Sequence, residues 1–420
     1  MKILLVTEDV PAPIVAGAGR HAVLLGNALI KAGHQVEMLG RVRMTGADSN
    51  HGFLGPLHTC IDLSRTGWKE HKLGAFLPMR RLDMSKRIWN AIKNLGTDWD
   101  VIHYHGHMPM LGALIPPEIN FIHTLHDQGA ECIMKTRFRE GKPCAELNPA
   151  ACAGCATSRP NWAQKAISTY TVRQYRMLAA KAFTRHQAIC VSGFIENRLR
   201  YALTGSQALR TSVIHNFIDN HAINRATSSP LEAGKISVKP TVVIFMAGWV
   251  DQSKGFGALL SAIPPARFAE MRIRIAGDGP DLANLRNRYG SLGVEFLGWR
   301  DHDAVLAETY AADVCVVPSI CEEACATTIL EALALGAPVF ALKRGGTPES
   351  YRYERFAGQL QLFPDIESLA RALLSVSFNK NVPFAVESDC LAAVHHRLPE
   401  ILRVYRNGIK HVKGRLRELE

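Results

Sequence analysis

The chain has 420 residues, 47% of them apolar and 21% charged, which is too long for one hydrophobic core and long enough for two. No apolar run approaches the roughly 18 residues of a membrane span, and the opening MKILLVTEDVP is too short an apolar run for a signal peptide, so a cytoplasmic protein is expected. The net charge of +11 is unevenly spread: residues 1–220 hold 26 Lys/Arg against 16 Asp/Glu, residues 221–390 hold 16 against 19, and residues 391–420 hold 7 against 3. A basic first half and tail admit nucleic acid or an anionic membrane as a partner.

In chain order, KILLVT at 2–7 predicts a buried strand, and RHAVLLGNALIKAGH an amphipathic helix closed by Gly33. The strand-like runs QVEML, VIHYH (101–105), FIHTLH (121–126), AICVS (188–192) and SVIHN (212–216) follow, with helix-like segments between several of them. The polar stretch 224–240 has the composition of a linker. Beyond it the alternation restarts with TVVIFMAG, RIRIAG, VEFLG, VCVVPS and PVFAL. Short buried strands alternating with helices predict parallel sheets covered on both faces. Two such passes predict two doubly wound α/β domains facing a central cleft. Ligands of such sheets sit outside the carboxyl ends of the strands.

The loops leaving those ends therefore carry the candidate chemistry. Gly17 and Gly19, in GAGRHA, match a dinucleotide fingerprint. About ten residues separate them from the first strand, however, and no acidic residue closes QVEML, which argues against a nicotinamide site. Two readings stay open: backbone N–H groups approaching a phosphate at a helix start, or a plain tight loop. In the second half, Lys254 of DQSKG lies in a strand-to-helix loop, as a phosphate cation or a solvated lysine. The loop AGDGP turns tightly, and PSICEEACATT then brings Glu323, Thr327 and Thr328 to the same edge. Glu331 falls inside the helix that Gly336 and Pro338 terminate. Acidic residues near a helix start are also explained by the helix dipole. Phosphate donors beside carboxylate acceptors suit a ligand that is part diphosphate and part polyol.

With GGTPE at 345–349 following the Glu323–Glu331 pair, and with KAGHQV, DVIHYH, TLHD and VIHNFID in the first half, the chain resembles glycosyltransferase family 4 along nearly its whole length. That family comprises retaining, metal-independent enzymes of the GT-B fold, two Rossmann-like domains. The resemblance implies an acceptor-side domain at 1–222, with a C-terminal helix at 395–420 packing back on it, and a nucleotide-sugar domain at 223–394. It implies that Glu323 holds a donor-sugar hydroxyl, Glu331 the ribose, and Lys254 the leaving diphosphate. Thr327 and Thr328 would offer backbone N–H groups, and Gly17 and Gly19 would admit the diphosphate. His126 would stand beside the donor sugar and acceptor, and His105, weighed against a structural histidine, on the acceptor side. Trp249 stands where the family usually has an arginine, and ACA where it usually has PFG.

The expected function is hexose transfer from a UDP- or GDP-linked sugar to a hydroxyl acceptor in bacterial lipopolysaccharide, exopolysaccharide or other cell-surface glycan synthesis. A sugar-nucleotide 2-epimerase and a basic nucleic-acid-binding protein are the rivals. The second lacks an aromatic-rich basic stripe, so no nucleic acid is expected. No cofactor is expected for catalysis. Asp98–Asp100, a D-x-D, precedes its strand and so lies at the wrong end for a metal. Cys132, Cys144, Cys152 and Cys155 are candidates for a structural zinc, with free thiols or a redox pair as alternatives. The charge distribution predicts a cytoplasmic enzyme peripheral on the inner face of the cytoplasmic membrane, with a glycan or lipid-linked glycan acceptor.

Overall fold

The computed structural model describes residues 1–12, 17–42, 50–63, 77–156, 161–203, 209–228, 242–375 and 390–419. They form two compact units. The first comprises Met1–Arg137, Cys144–Asn216 and Val394–Glu420, and the second Phe138–Pro143 and Phe217–Ala393.

The first unit is built on β1 (Lys2–Val6), β2 (Gln35–Arg41), β3 (Leu57–Ile61), β4 (Val101–His105) and β5 (Phe121–Leu125). After a two-strand hairpin, β6 (Phe138–Arg139) and β7 (Lys142–Pro143), which groups with the second unit, come β8 (Gln187–Cys190) and β9 (Thr211–Val213). The seven sheet strands run in the order β3-β2-β1-β4-β5-β8-β9, and every pairing is parallel. Ile3, Leu4, Leu5 and Val6 are wholly buried, as a strand covered on both faces requires. The predicted first helix spans Gly17–Lys31 and ends before Gly33, whose φ of 82° takes the left-handed conformation that favours glycine. Of SVIHN only Ser212 and Val213 lie in a strand, β9 (Thr211–Val213).

The C-terminal helix Val394–Leu419 belongs to the first unit. Its Tyr405 is fully buried, with Oη 2.7 Å from His103 Nδ1, and its Tyr405 carbonyl accepts from Asn120 Nδ2 at 3.2 Å. A Cβ at Gly408 would run into the Asn120 side chain, so glycine lets this helix sit close.

The second unit carries β10 (Val242–Ala247), β11 (Met271–Ala276), β12 (Glu295–Gly298), β13 (Val314–Val317), β14 (Val339–Leu342) and β15 (Leu360–Phe363). Their order is β12-β11-β10-β13-β14-β15, again all parallel. Separate apolar clusters pack the two faces of this sheet. Of the expected linker, 224–228 ends the helix Asn220–Ser228 and residues 229–240 lie outside the described residues. The chain passes between units at Asn216–Phe217, earlier than the expected 222–223, because Ile218, Ala222 and Ile223 join the second unit's core.

Strand order reverses between β1 and β4 in the first unit and between β10 and β13 in the second. Those two switch points are where doubly wound sheets accept ligands.

Candidate active site

In the second unit, three loops converge beyond β10, β13 and β14. After β10, Asp251 caps the short turn Gln252–Lys254, accepting from the Lys254 N–H at 3.1 Å and from Ser253 Oγ at 2.6 Å. Gly255 then takes a φ of 74° against the Pro318 carbonyl, where a Cβ would clash. The Ser253 carbonyl accepts from Ile320 N at 2.9 Å and Cys321 N at 3.0 Å, lacing the first loop to the second. This brings Lys254 Nζ to 2.6 Å from Glu323 Oε1. From the third loop, Gly346 N donates to the Glu323 carbonyl at 2.7 Å.

Burial opposes charge on both partners, and the pairing overcomes it. Beside Glu323, Cys321 and Asp251 the Lys254 ammonium is held above its ordinary range. Lys254, with a hydrogen bond from Ser319, holds the Glu323 carboxyl below its own. The side chains keep 30% and 14% exposure, so the pair faces solvent on one side.

Glu331 is carried on the helix Thr327–Ala334 and is buried. Its partner is His302, with Nε2 2.8 Å from Glu331 Oε1. His302 opens the helix His302–Ala311, fixed by Asp301 Oδ1 accepting from Ala304 N at 2.8 Å. Thr327 and Thr328 form the first turn of the Glu331 helix, whose N-cap Ala326 supplies no side-chain acceptor. Their amide groups lie at the helix start, where N–H groups have no intrahelical acceptor. Trp249 is more than half exposed on the loop where the family's arginine is expected.

In the first unit the ends of β1, β4 and β5 carry a second cluster. Glu8, just past β1, accepts from Tyr104 Oη at 2.6 Å and from the His107 N–H at 2.8 Å. His107 Nδ1 lies 2.8 Å from Asp127 Oδ2. Burial works against the His107 imidazolium, but the Asp127 hydrogen bond and charge raise its pKa. Asp127, also opposed by burial, is pulled down to about 2 by His107 and Lys135. His126 is neutral for the opposite reason: burial drives its pKa down to about 3 despite Asp127. Its Nε2 stands 3.2 Å from His105 Nδ1. His105 is the last residue of β4 and is fully buried, and burial with its histidine neighbours keeps it neutral too.

The structure thus brings Lys254 and Glu323 together, and His105 and His126 together, while Glu331 sits with a partner of its own. Gly17 begins the first helix, exposed and with open space around it, and Gly19 is buried two residues on. Glu8, His107, Asp127, His302 and Ser319 were not expected. Only the strand-end rule pointed toward them: Ser319 shares Glu323's loop without belonging to its motif, and the others meet their partners from a different loop or helix.

Asp100 lies at the opposite end of β4, accepting from the Lys2 N–H at 2.8 Å, which is a structural tie. Among the described residues, the group gathering at least three ligating atoms within 4.8 Å of one another is His21, His105 and His126, not Cys132, Cys144, Cys152 and Cys155. None of the four is joined in a disulfide. Cys152 and Cys155 share a helix that packs them against the apolar cluster of Met110, Ile133, Val172 and Tyr175, and Arg176 Nη2 lies 3.3 Å from Cys152 Sγ.

Comparison with known proteins covers both units. A family model described as Glycosyltransferase Family 4 matches residues 15–221, and one described as Glycosyl transferases group 1 matches residues 240–378. A glycogen synthase of Mycobacterium tuberculosis (strain ATCC 25618 / H37Rv) is 24% identical over 83% of this chain and 80% of its own length. A phosphatidyl-myo-inositol mannosyltransferase of Mycolicibacterium smegmatis is 30% identical over 40% of this chain and 46% of its own. Among solved structures, Anabaena HepE in complex with UDP-glucose superposes with a TM-score of 0.57 at 16% identity, covering all of both chains. Matched in both halves, with the two sheets that the GT-B fold requires, the chain belongs to the group 1, family 4 glycosyltransferases and is a glycosyltransferase.

Proposed function

We propose that this glycosyltransferase moves a hexose from a UDP- or GDP-linked sugar to a hydroxyl acceptor with retention of configuration. The observation that carries the reading is the Lys254–Glu323 pair at the switch point of the second sheet. A sugar diphosphate presents an anion and a polyol side by side, and this pair presents a cation beside an acceptor. Lys254, with the amides of Thr327 and Thr328, takes the diphosphate, Glu323 a sugar hydroxyl, and Glu331, oriented by His302, the ribose hydroxyls. The bond from the anomeric carbon to the diphosphate oxygen breaks as the acceptor oxygen joins that carbon on the same face. The acceptor proton passes to the departing phosphate oxygen, so no separate base is required. Stabilising the developing negative charge supplies most of the acceleration. Neutral His126 offers one N–H and one lone pair to sugar hydroxyls, with His105 behind it.

The acceptor belongs to cell-surface glycan synthesis and is lipid-linked, with the first unit seated on an anionic membrane. Among the described residues no helix is long and apolar enough to cross a membrane. The helix Trp162–Arg185, however, holds no acidic residue. Its outward face alternates Trp162, Tyr170 and Met177, at 85%, 62% and 57% exposure, with the exposed Lys165, Arg173 and Lys181. Exposed aromatic and basic residues on one face suit the interface of an anionic bilayer.

Thermal-shift measurement with UDP-, GDP- and ADP-sugars identifies the donor, since ligand at 100 times its Kd adds about 2.7 kcal/mol. That donor is then incubated with hydroxyl acceptors and the product anomer read by NMR. Retained configuration is expected. An inverted product, or a 2-epimer formed with no acceptor, overturns the reading.

A further inference from the structure

His21, His105 and His126 come from three elements: the helix Gly17–Lys31, the end of β4, and the residue after β5. One ligand atom of each lies within 4.8 Å of the others. Nδ1 of His105 and Nε2 of His126 are 3.2 Å apart, close to the separation of about 3.4 Å between two nitrogens on one tetrahedral zinc. The His21 ring lies edge-on to His126, with centroids 4.7 Å apart, and 5.3 Å from His105. His105 Nε2 is buried without a hydrogen-bond partner in the structure. No second hydrogen bond therefore fixes the tautomer of that ring, and either nitrogen can present a lone pair.

His103 stacks 4.1 Å from His105, but both its nitrogens are engaged, by Tyr405 Oη and Thr124 Oγ1 at 2.7 Å each. It backs the cluster and is not one of the three. Asp127 is drawn to His107, which leaves the three imidazoles an all-nitrogen set. Imidazole ligates a metal through a ring-nitrogen lone pair, and each of the three rings carries one in its neutral form.

We propose that the first unit carries a transition-metal site formed by His21, His105 and His126. Three imidazoles suit Zn2+, Co2+, Ni2+ or Cu2+ and disfavour Mg2+, Ca2+ and Mn2+, which prefer oxygen. Three ligands leave a fourth position for water. Half-buried His126 gives the entry path. Metal binding can be measured without the sugar reaction. If His126 also contacts sugar hydroxyls, as the function proposed above has it, an occupying cation inhibits transfer.

The test is Co2+ titration of the metal-free protein, followed by visible absorption, with Zn2+ as competitor. One bound Co2+ per chain is expected, with the intense ligand-field bands of a four-coordinate nitrogen site and no thiolate charge-transfer band. Cys152→Ser with Cys155→Ser leaves that spectrum unchanged. His21→Ala weakens binding at least about 10-fold, the loss that even an outer-shell partner costs at metal sites. His126→Gln, at the half-buried position, is the second variant if circular dichroism shows His21→Ala unfolded. No bound Co2+ in the folded wild type, a spectrum dominated by thiolate, or unchanged affinity in a folded histidine variant overturns the proposal.

Discussion

Lys254 and Glu323 are each opposed by burial, and each is held in its charged form by the other. Substituting either one strands a charge as well as removing a contact. Lys254→Ala is expected to lower turnover with every donor sugar tested, because the diphosphate is common to all of them. Steady-state kinetics on two sugars of one nucleotide checks this, and a loss confined to one sugar contradicts it. The two glutamates separate by ligand: Glu331→Ala weakens nucleoside diphosphate binding by calorimetry, whereas Glu323→Ala spares it and cuts kcat about 10²-fold or more. Equal loss of diphosphate affinity in both variants removes that division of labour. Gly345 supports Glu323 from behind. Its φ is 56°, and an added Cβ would meet the Glu323 backbone N at 2.8 Å, with its carbonyl oxygen closer still. Gly345→Ala is expected to cost about 1–3 kcal/mol of stability and to lower kcat with it, measured by thermal melting and initial rates. These residues were legible because the motif is local: Glu323, Glu331 and the two glycines lie within one short span. Their supports were not: His302 arrives from another helix, and Ser319, though in Glu323's own loop, belongs to no motif that spacing singles out.

Among the helices, Trp162–Arg185 turns its apolar side inward, burying Val172, Tyr175, Ala179 and Phe183, and leaves large residues outside as well. If its three outward cations meet anionic lipid, each is worth about 1 kcal/mol, or about 10²-fold in binding together. Sedimentation with phosphatidylserine-containing vesicles is expected to bring the protein down at low salt and to release it at high salt. Lys165→Glu with Arg173→Glu is expected to abolish the effect while leaving nucleotide binding intact. Equal partitioning of wild type and variant onto anionic and neutral vesicles refutes this role. The uneven charge pointed to the first half of the chain, but not to this helix. Which side of a helix is left bare depends on what packs against the other side. The same limit explains the cysteines. C-x2-C spacing is compatible with zinc, and only the structure shows that it lies on a helix packing Cys152 and Cys155 against an apolar cluster.

At the scale of the whole molecule, five buried or half-buried histidines gather in the first unit. His21, His103, His105, His123 and His126, all in the first unit, have pKa values lowered chiefly by burial, to about 4 for His123 and about 3 for His126. A histidine depressed on folding binds its proton in the unfolded chain first. Stability therefore falls as pH drops below the ordinary value of 6.5, and keeps falling until the folded pKa is reached. Each such group contributes up to about 1.36 kcal/mol per pH unit over that range. His107, raised by Asp127, opposes the trend with one proton. Scanning calorimetry from pH 7.5 to 5.5 is expected to show the first unit's transition moving down steeply and the second unit's holding nearly still. A common shift of both transitions counts against the histidine explanation.

Hydrophobic periodicity and turn chemistry are properties of neighbouring residues, so the chain alone determined two parallel α/β sheets, the loops at their carboxyl ends, and the Glu323–Glu331 motif with Lys254. Tertiary structure decided what those loops meet. It joined Lys254 to Glu323 across 69 positions of sequence and gave Glu331 its histidine. It packed Cys152 and Cys155 against an apolar cluster, and assembled His21, His105 and His126 from a helix and two strand ends. The reason is that bonding depends on distance in space, and sequence spacing reports that distance only inside a single turn, helix or strand.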